Sequence, residues 1–223
     1  MTIAGLRTRI AGLFTRDRMS RADADRWAEA STLAELGELT AQWLEGRIAS
    51  EPAYAPSCGP DEETAHLVPV LAAVNRAGYL TDQSQPGVPP EPGYDGAIWC
   101  QRAAVSGFAS EDVAHRIVTA CSAAGMILHV RTATSGRRRG QGTPVTTRAE
   151  RPCTGFGHRH LPKDIAFLYE ACSDEAVDVL VAAYQVTVID PEWGRDDVLW
   201  PLLYEAVTGR AYAGLEHTPQ ETR

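Results

Sequence analysis

Residues 98–131 limit the fold most, because an extended run, a capped helix and a second extended run follow one another there. Ile98 to Phe108 reads as a strand. Its alternation sends Gln101, Ala103, Val105 and Gly107 to one face and Arg102, Ala104, Ser106 and Phe108 to the other. Ser110, Glu111 and Asp112 then open a helix, since a hydroxyl and two carboxylates satisfy and complement a helix N-terminus. That helix passes Ile117 and Cys121 to Gly125, and Met126 to Arg131 is the next strand. A second unit follows the same plan: Ile165 to Tyr169 as a short strand, Asp174 to Ala182 as a helix, and the β-branched run Tyr184 to Ile189 as a strand. Two such units predict an α+β fold, ferredoxin-like or a related β-α-β sheet, with strand order open.

Helices precede the sheet and are expected to cover one face of it. Ser20 caps one through Trp27 to Ala30, and Ser31 or Thr32 opens another with the apolar stripe Leu33, Leu36, Leu39, Trp43 and Leu44. A loop with three prolines leads to Asp61, Glu62 and Glu63, which start a further helix ending at Gly78. Residues 82–96 read as an irregular loop because prolines and glycines crowd it. Residues 132–163, with Arg137 to Arg139, read as a loose segment, mobile at its centre. A final helix runs from Asp196 or Asp197 to Val207 and stops at Gly209. The domain plan is thus a basic amphipathic leader at 1–18, a single globular domain at 19–210 and a flexible tail at 211–223. The leader rests on Ile3, Leu6, Ile10, Leu13 and Phe14 at helical spacing among four arginines.

Composition narrows the function classes. Apolar residues make up 44% and charged residues 22%, which supports a packed core rather than wholesale disorder. The formal charge of −8 repels a phosphate backbone at long range, so nucleic acid is not the expected partner. No apolar run reaches the length of about 18–20 residues that crosses a bilayer. Arginines interrupt the N-terminus where a signal-peptide core would lie, so a cytoplasmic location is expected. Five widely spaced cysteines, with no CxxC pair, read as reduced thiols.

Chemistry-bearing residues fall into four groups. Thr81-Asp-Gln-Ser-Gln-Pro-Gly87 offers uncharged donors and acceptors on a turn stiffened by proline, the type of surface that reads an amide, a sugar or a base edge. Gln101 and Arg102 lie beside small residues that leave room for a ligand, and Arg102 suits a carboxylate or phosphate. His158 and His160, near Asp164, offer two imidazoles and a carboxylate, but no recognised zinc spacing and no fourth ligand, so no metal is assigned. Asp190-Pro-Glu-Trp-Gly-Arg195 follows a strong strand; there Asp190 or Asp196 is expected to cap the last helix and Arg195 to pair with a carboxylate. The signatures GxSxG, HExxH, GxGxxG and GxxxxGK[ST] are absent, so no reaction or cofactor is assigned.

Several of these motifs together resemble an uncharacterised actinobacterial family, the domain of unknown function numbered 6919. They are Leu36 to Thr40, Trp43 to Gly46, Val74 to Gly78, Thr81 to Gly87, Gln101 to Ala103 and Asp190 to Arg195, spread over roughly residues 20–208. The resemblance implies a bacterial, cytosolic setting and carries no catalytic residue. The residues themselves point to a small polar ligand, nucleotide-like or amide-bearing, held by Thr81, Ser84, Gln85, Gln101 and Arg102, with catalysis left open. The alternative is a protein-interaction or regulatory module, which a stable homo-oligomer or a copurifying partner without ligand binding would distinguish.

Overall fold

The computed structural model describes residues 19–136 and 140–214. The leader, the arginine run and most of the tail discussed above lie outside the described residues. Helix α1 (Arg21–Glu29) starts at the Ser20 hydroxyl, which accepts the Asp23 amide. Helix α2 (Leu33–Leu44) opens with a capping box: Thr32 accepts from the Glu35 amide, and the Glu35 carboxylate accepts from the Thr32 amide. A 3-10 turn (Glu62–Leu67) leads into α3 (Val68–Arg76), and Gly78, at φ +96°, turns the chain into the sheet.

Among the described residues eight strands form two antiparallel four-stranded sheets. The first contains β1 (Tyr79–Gln85), β4 (Ala104–Ala109), β5 (Ile127–Thr132) and β8 (Tyr184–Ile189), in the order β1-β4-β8-β5. Ala104 to Ala109 pair with Ile189 to Tyr184, and Ile127 to Thr132 pair with the same stretch of β8 from its other side. Strands β4 and β5 are therefore parallel, with β8 between them and α4 (Glu111–Ala123) crossing over. The expected β-α-β unit is present in this split form, within an α+β fold.

The second sheet holds β2 (Val88–Pro92), β3 (Ile98–Gln101), β6 (Thr143–Arg148) and β7 (Arg151–Phe156), in that order. It overturns three expectations. Residues 98–108 are not one strand: Arg102 and Ala103 break the run, and its halves belong to different sheets. Residues 82–96 are not an irregular loop, because β1 runs through Gln85 and β2 follows two residues later; the prolines are tolerated because β2 is an edge strand. Residues 143–156 form the hairpin β6–β7 rather than a loose segment.

The second expected β-α-β unit also fails at its start. Residues 162–168 form helix α5, with Pro162 in its first turn and the Asp164 carboxylate accepting the Leu161 amide. Helix α6 (Asp174–Ala182), capped by Ser173, then feeds β8 as expected. Helix α7 (Leu199–Thr208) ends at Gly209 in the left-handed conformation. Neither Asp190 nor Asp196 caps it: Val198 is at its N-cap and contributes no side-chain bond.

One apolar cluster runs from Trp27 to Val207 and includes Leu36, Leu71, Tyr79, Phe108, Ile117, Leu180 and Leu203. A smaller cluster of Ala104, Val145, Phe156 and Ile189 joins the two sheets. The central strands β4 and β8 are buried almost throughout, including the polar Gln185 and Thr187 of β8. The second sheet is exposed along β2 and much of β7.

Candidate functional site

A cleft of about 110 Å³ opens where β1, at the edge of the first sheet, meets β7, at the edge of the second. Trp43 and Leu44 at the end of α2, the stretch from Tyr54 to Thr64, and Leu71 of α3 close its remaining walls. The whole run Thr81, Asp82, Gln83, Ser84, Gln85 lines it, together with Thr154 and Phe156.

The register of β1 explains why consecutive residues all reach this wall. Thr81 pairs with Gly107 and Gln83 with Ser106, so Asp82 is an extra residue in a bulge. A bulge bends the strand and re-aims a side chain that alternation would have sent elsewhere. The crowding it creates requires glycine opposite: a Cβ on Gly107 would stand 2.2 Å from the Leu80 carbonyl oxygen. Thr81 is held from behind by the fully buried Asn75. The Asn75 amide nitrogen donates to the Thr81 hydroxyl at 2.8 Å, and its oxygen accepts the Thr81 amide at 3.0 Å.

The bulge delivers Asp82 to two polar partners. One carboxylate oxygen accepts the Ser106 hydroxyl at 2.8 Å, and the other lies 2.8 Å from Nε2 of His160. The Asp82 side chain is 6% exposed and that of His160 21%, so the contact is largely shielded from water. Gln185 of β8 fixes the His160 main chain from both sides, accepting its amide at 2.8 Å and donating to its carbonyl at 2.9 Å. Phe108 stacks on the imidazole and meets the Tyr169 ring edge-on. Burial pushes the Tyr169 hydroxyl well above its usual range, and the nearby Glu51 and Asp82 carboxylates add to the shift. Among the described residues that hydroxyl has no hydrogen-bond partner. An imidazole oriented by a carboxylate is the arrangement proton transfer requires.

Of the residues read from sequence as ligand-binding, Thr81, Ser84 and Gln85 line this cleft, whereas Gln101 and Arg102 do not. The two motifs do meet, but through the main chain. The Gln85 amide nitrogen donates to the carbonyls of Arg102, at 2.9 Å, and Val145, at 3.0 Å, while its oxygen accepts the Thr146 hydroxyl. At 2% exposure, this side chain stitches β1 to the second sheet. The Arg102 guanidinium instead stacks over Trp193 at 4.2 Å and donates to the Pro144 carbonyl. Burial lowers its pKa, opposed by the nearby Asp190. The Gln101 side-chain oxygen is buried without a partner among the described residues, and its main-chain carbonyl accepts the Gly194 amide.

The Asp190 to Arg195 motif forms the expected ion pair. Asp190, fully buried, accepts two bonds from the Arg195 guanidinium at 2.7 and 2.8 Å and one from the Glu192 amide. Asp196 binds the Gly87 amide and the Trp200 indole through one oxygen and His66 through the other. His158 meets the Gly140 carbonyl, away from Asp82. Among the described residues no group of three or more His, Cys, Asp or Glu side chains gathers as a metal site.

Sequence reasoning missed Asp82, Asp61, Glu63, Trp43, Tyr54 and Thr154 as site residues, and named His160 only as a partner of His158 and Asp164. Asp82 had a local signal, since it sits inside the Thr81 to Gly87 motif. The others come from distant segments that only the fold joins. No curated protein matches the chain. The model of a domain of unknown function (DUF6919) matches residues 22–210, which bears out the resemblance carried by these motifs, and the chain belongs to that family.

Proposed function

We propose that this chain binds a small polar molecule, amide-bearing or nucleotide-like, in the cleft beside β1. The observation that carries the reading is the cleft wall itself, which five consecutive polar residues, Thr81 to Gln85, line. Convergent uncharged donors and acceptors in a partly apolar hollow are what small-ligand sites use to fix orientation. Thr81 and Ser84 supply hydroxyls, with Thr81 pre-oriented by Asn75. Gln85 holds the wall by tying it to the Arg102 carbonyl, so Gln101 and Arg102 act from behind the cleft. Asp82 and His160 supply the proton-handling pair should the bound molecule react. The setting is the cytoplasm of an actinobacterial cell, in keeping with the free thiols at Cys58, Cys100, Cys121, Cys153 and Cys172. Among the described residues no helix is long and apolar enough to cross a membrane.

Thermal-shift screening of metabolites against wild type and Ser84→Leu tests this reading. Leucine at this half-buried position fills the cleft without removing a hydrogen bond made by Ser84 to any described residue. Compounds that raise the wild-type Tm are expected to leave the variant unmoved. Equal responses from both proteins would exclude the cleft. A stable oligomer with no ligand response would favour the interaction-module reading instead.

A further inference from the structure

We propose that residues 52–63 are a lid on this cleft, lifting to admit a molecule and closing on it; the inference rests on the cleft being a ligand site. The chain from Glu45 to Leu67 joins α2 to α3 and carries one regular piece, the 3-10 turn. Connections longer than about 12–15 residues with little structure of their own are commonly lids or binding loops. This one supplies Tyr54, Pro60, Asp61, Glu63 and Thr64 to the cleft, facing β1. The volume points the same way. Small-molecule sites enclose about 300–1,000 Å³. The cleft, at about 110 Å³, reaches that range only when a wall moves outward.

Burial shows which wall can move. No residue from Pro52 to Glu63 is buried, whereas Ser50, Glu51 and Thr64 on either side are. A stretch with few buried contacts opens at far lower cost than the core around it. Its base is fastened: Asp23 accepts the Ala49 amide at 3.3 Å, and the Ser50 carbonyl accepts the indole of the fully buried Trp27 at 2.9 Å. Its far end is held by buried Leu67 and by His66, 2.8 Å from Asp196. Between these hinges, the Tyr54 hydroxyl donates to the Asp61 side chain and the Thr64 hydroxyl to the Asp61 carbonyl, which couples the two halves of the segment. Closure is made by bonds to the body. The Ser57 amide donates to the Ser50 hydroxyl at 3.0 Å, and the Trp43 indole, in the cleft wall, donates to the Cys58 carbonyl at 2.9 Å. Ser57 sits at φ +58°, a left-handed conformation that an L residue does not prefer, so the closed turn depends on these bonds.

Native-state hydrogen exchange of the indole protons, followed by NMR on the full chain, tests the lid. Trp43 reports the lid bond and Trp27 the fastened base. In wild type the Trp43 proton is expected to exchange about a hundredfold or more faster than that of Trp27, with little dependence on low urea. Ser57→Pro, outside the cleft, removes the donated amide and sets φ to about −65°. It should speed Trp43 exchange about tenfold and leave Trp27 unchanged, which also shows that the variant is folded. Equal exchange of the two indoles, with one urea dependence, overturns the lid, because the segment then opens only with the whole domain. A Ser57→Pro effect on both indoles alike, or on neither, overturns it too. AMP and nicotinamide serve as nucleotide-like and amide-bearing probes: one that raises the Tm but leaves Trp43 exchange unchanged also counts against the lid. None of these failures touches the ligand-site reading, which the Ser84→Leu screen decides. Equal responses in that screen remove the site and the lid's role with it, even where Trp43 exchanges fast.

Discussion

Gln85 shows how a polar side chain read as ligand-facing becomes a structural tie. Its amide satisfies the Arg102 and Val145 carbonyls and the Thr146 hydroxyl in a region closed to water. Removing it strands those groups, and each buried unsatisfied partner costs about 1–3 kcal/mol. Gln85→Ala is therefore expected to lower stability by about 2–4 kcal/mol. In urea the midpoint should fall with little change in slope, whereas a loss below about 1 kcal/mol would show that the tie is unimportant. The local sequence does not distinguish an amide that reads a ligand from one that reads a carbonyl, since both need the same donor and acceptor. Asp82 is the converse case. Its role depends on a bulge that shifts the register by one residue, which alternation from sequence does not reveal.

Elements with strong local signals were legible, and those set by tertiary context were not. Helix α6 and strand β8 match their expected limits, because Ser173 caps the one and β-branched residues dominate the other. The short apolar run Ile165 to Tyr169 fits a buried strand or a helix equally by pattern; Pro162 and Asp164 were the signals for a helix start. The β6–β7 hairpin was hidden by its turn. Ala149 and Glu150 occupy it with φ of +48° and +62°, a geometry that normally selects Asn-Gly. L side chains there cost about 1–2 kcal/mol, so Glu150→Gly is expected to raise stability by about 1 kcal/mol. A lower Tm for this variant would contradict the turn assignment.

Arg76, at the end of α3, clamps Glu38 and Glu45 of α2 and its cap. Its hydrogen bonds hold both carboxyls below their ordinary value of 4.5. Because the folded values are depressed, the stability they bring is complete above the unfolded value and is lost as pH falls through the folded ones. The groups are largely exposed, so Arg76→Met should cost no more than about 1 kcal/mol at neutral pH. The two proteins should converge in acid. A difference that persists unchanged there would mean that Arg76 acts through packing instead.

At the scale of the molecule, the sequence revealed the α+β class and the helical cover but not the second sheet. That sheet pairs proline- and threonine-rich segments, several of them exposed, which carry no apolar alternation, and its Val145 and Phe156 pack on Ala104 and Ile189 of the first sheet. The cleft exists because this sheet is set beside the edge of the first. Its walls therefore come from segments far apart along the chain, from Trp43 at the end of α2 to Phe156 in β7. The motifs at 81–87, 101–103 and 190–195 do converge, as a main-chain junction with the open cleft on one side.

The central claim is that this cleft receives a ligand, and amide shift mapping with a compound that raises the Tm reads its position directly. Changes are expected to concentrate at Thr81 to Gln85, at Tyr54 to Thr64 and at Thr154. Changes centred on Arg102 and Trp193, or scattered over the helices, would contradict it.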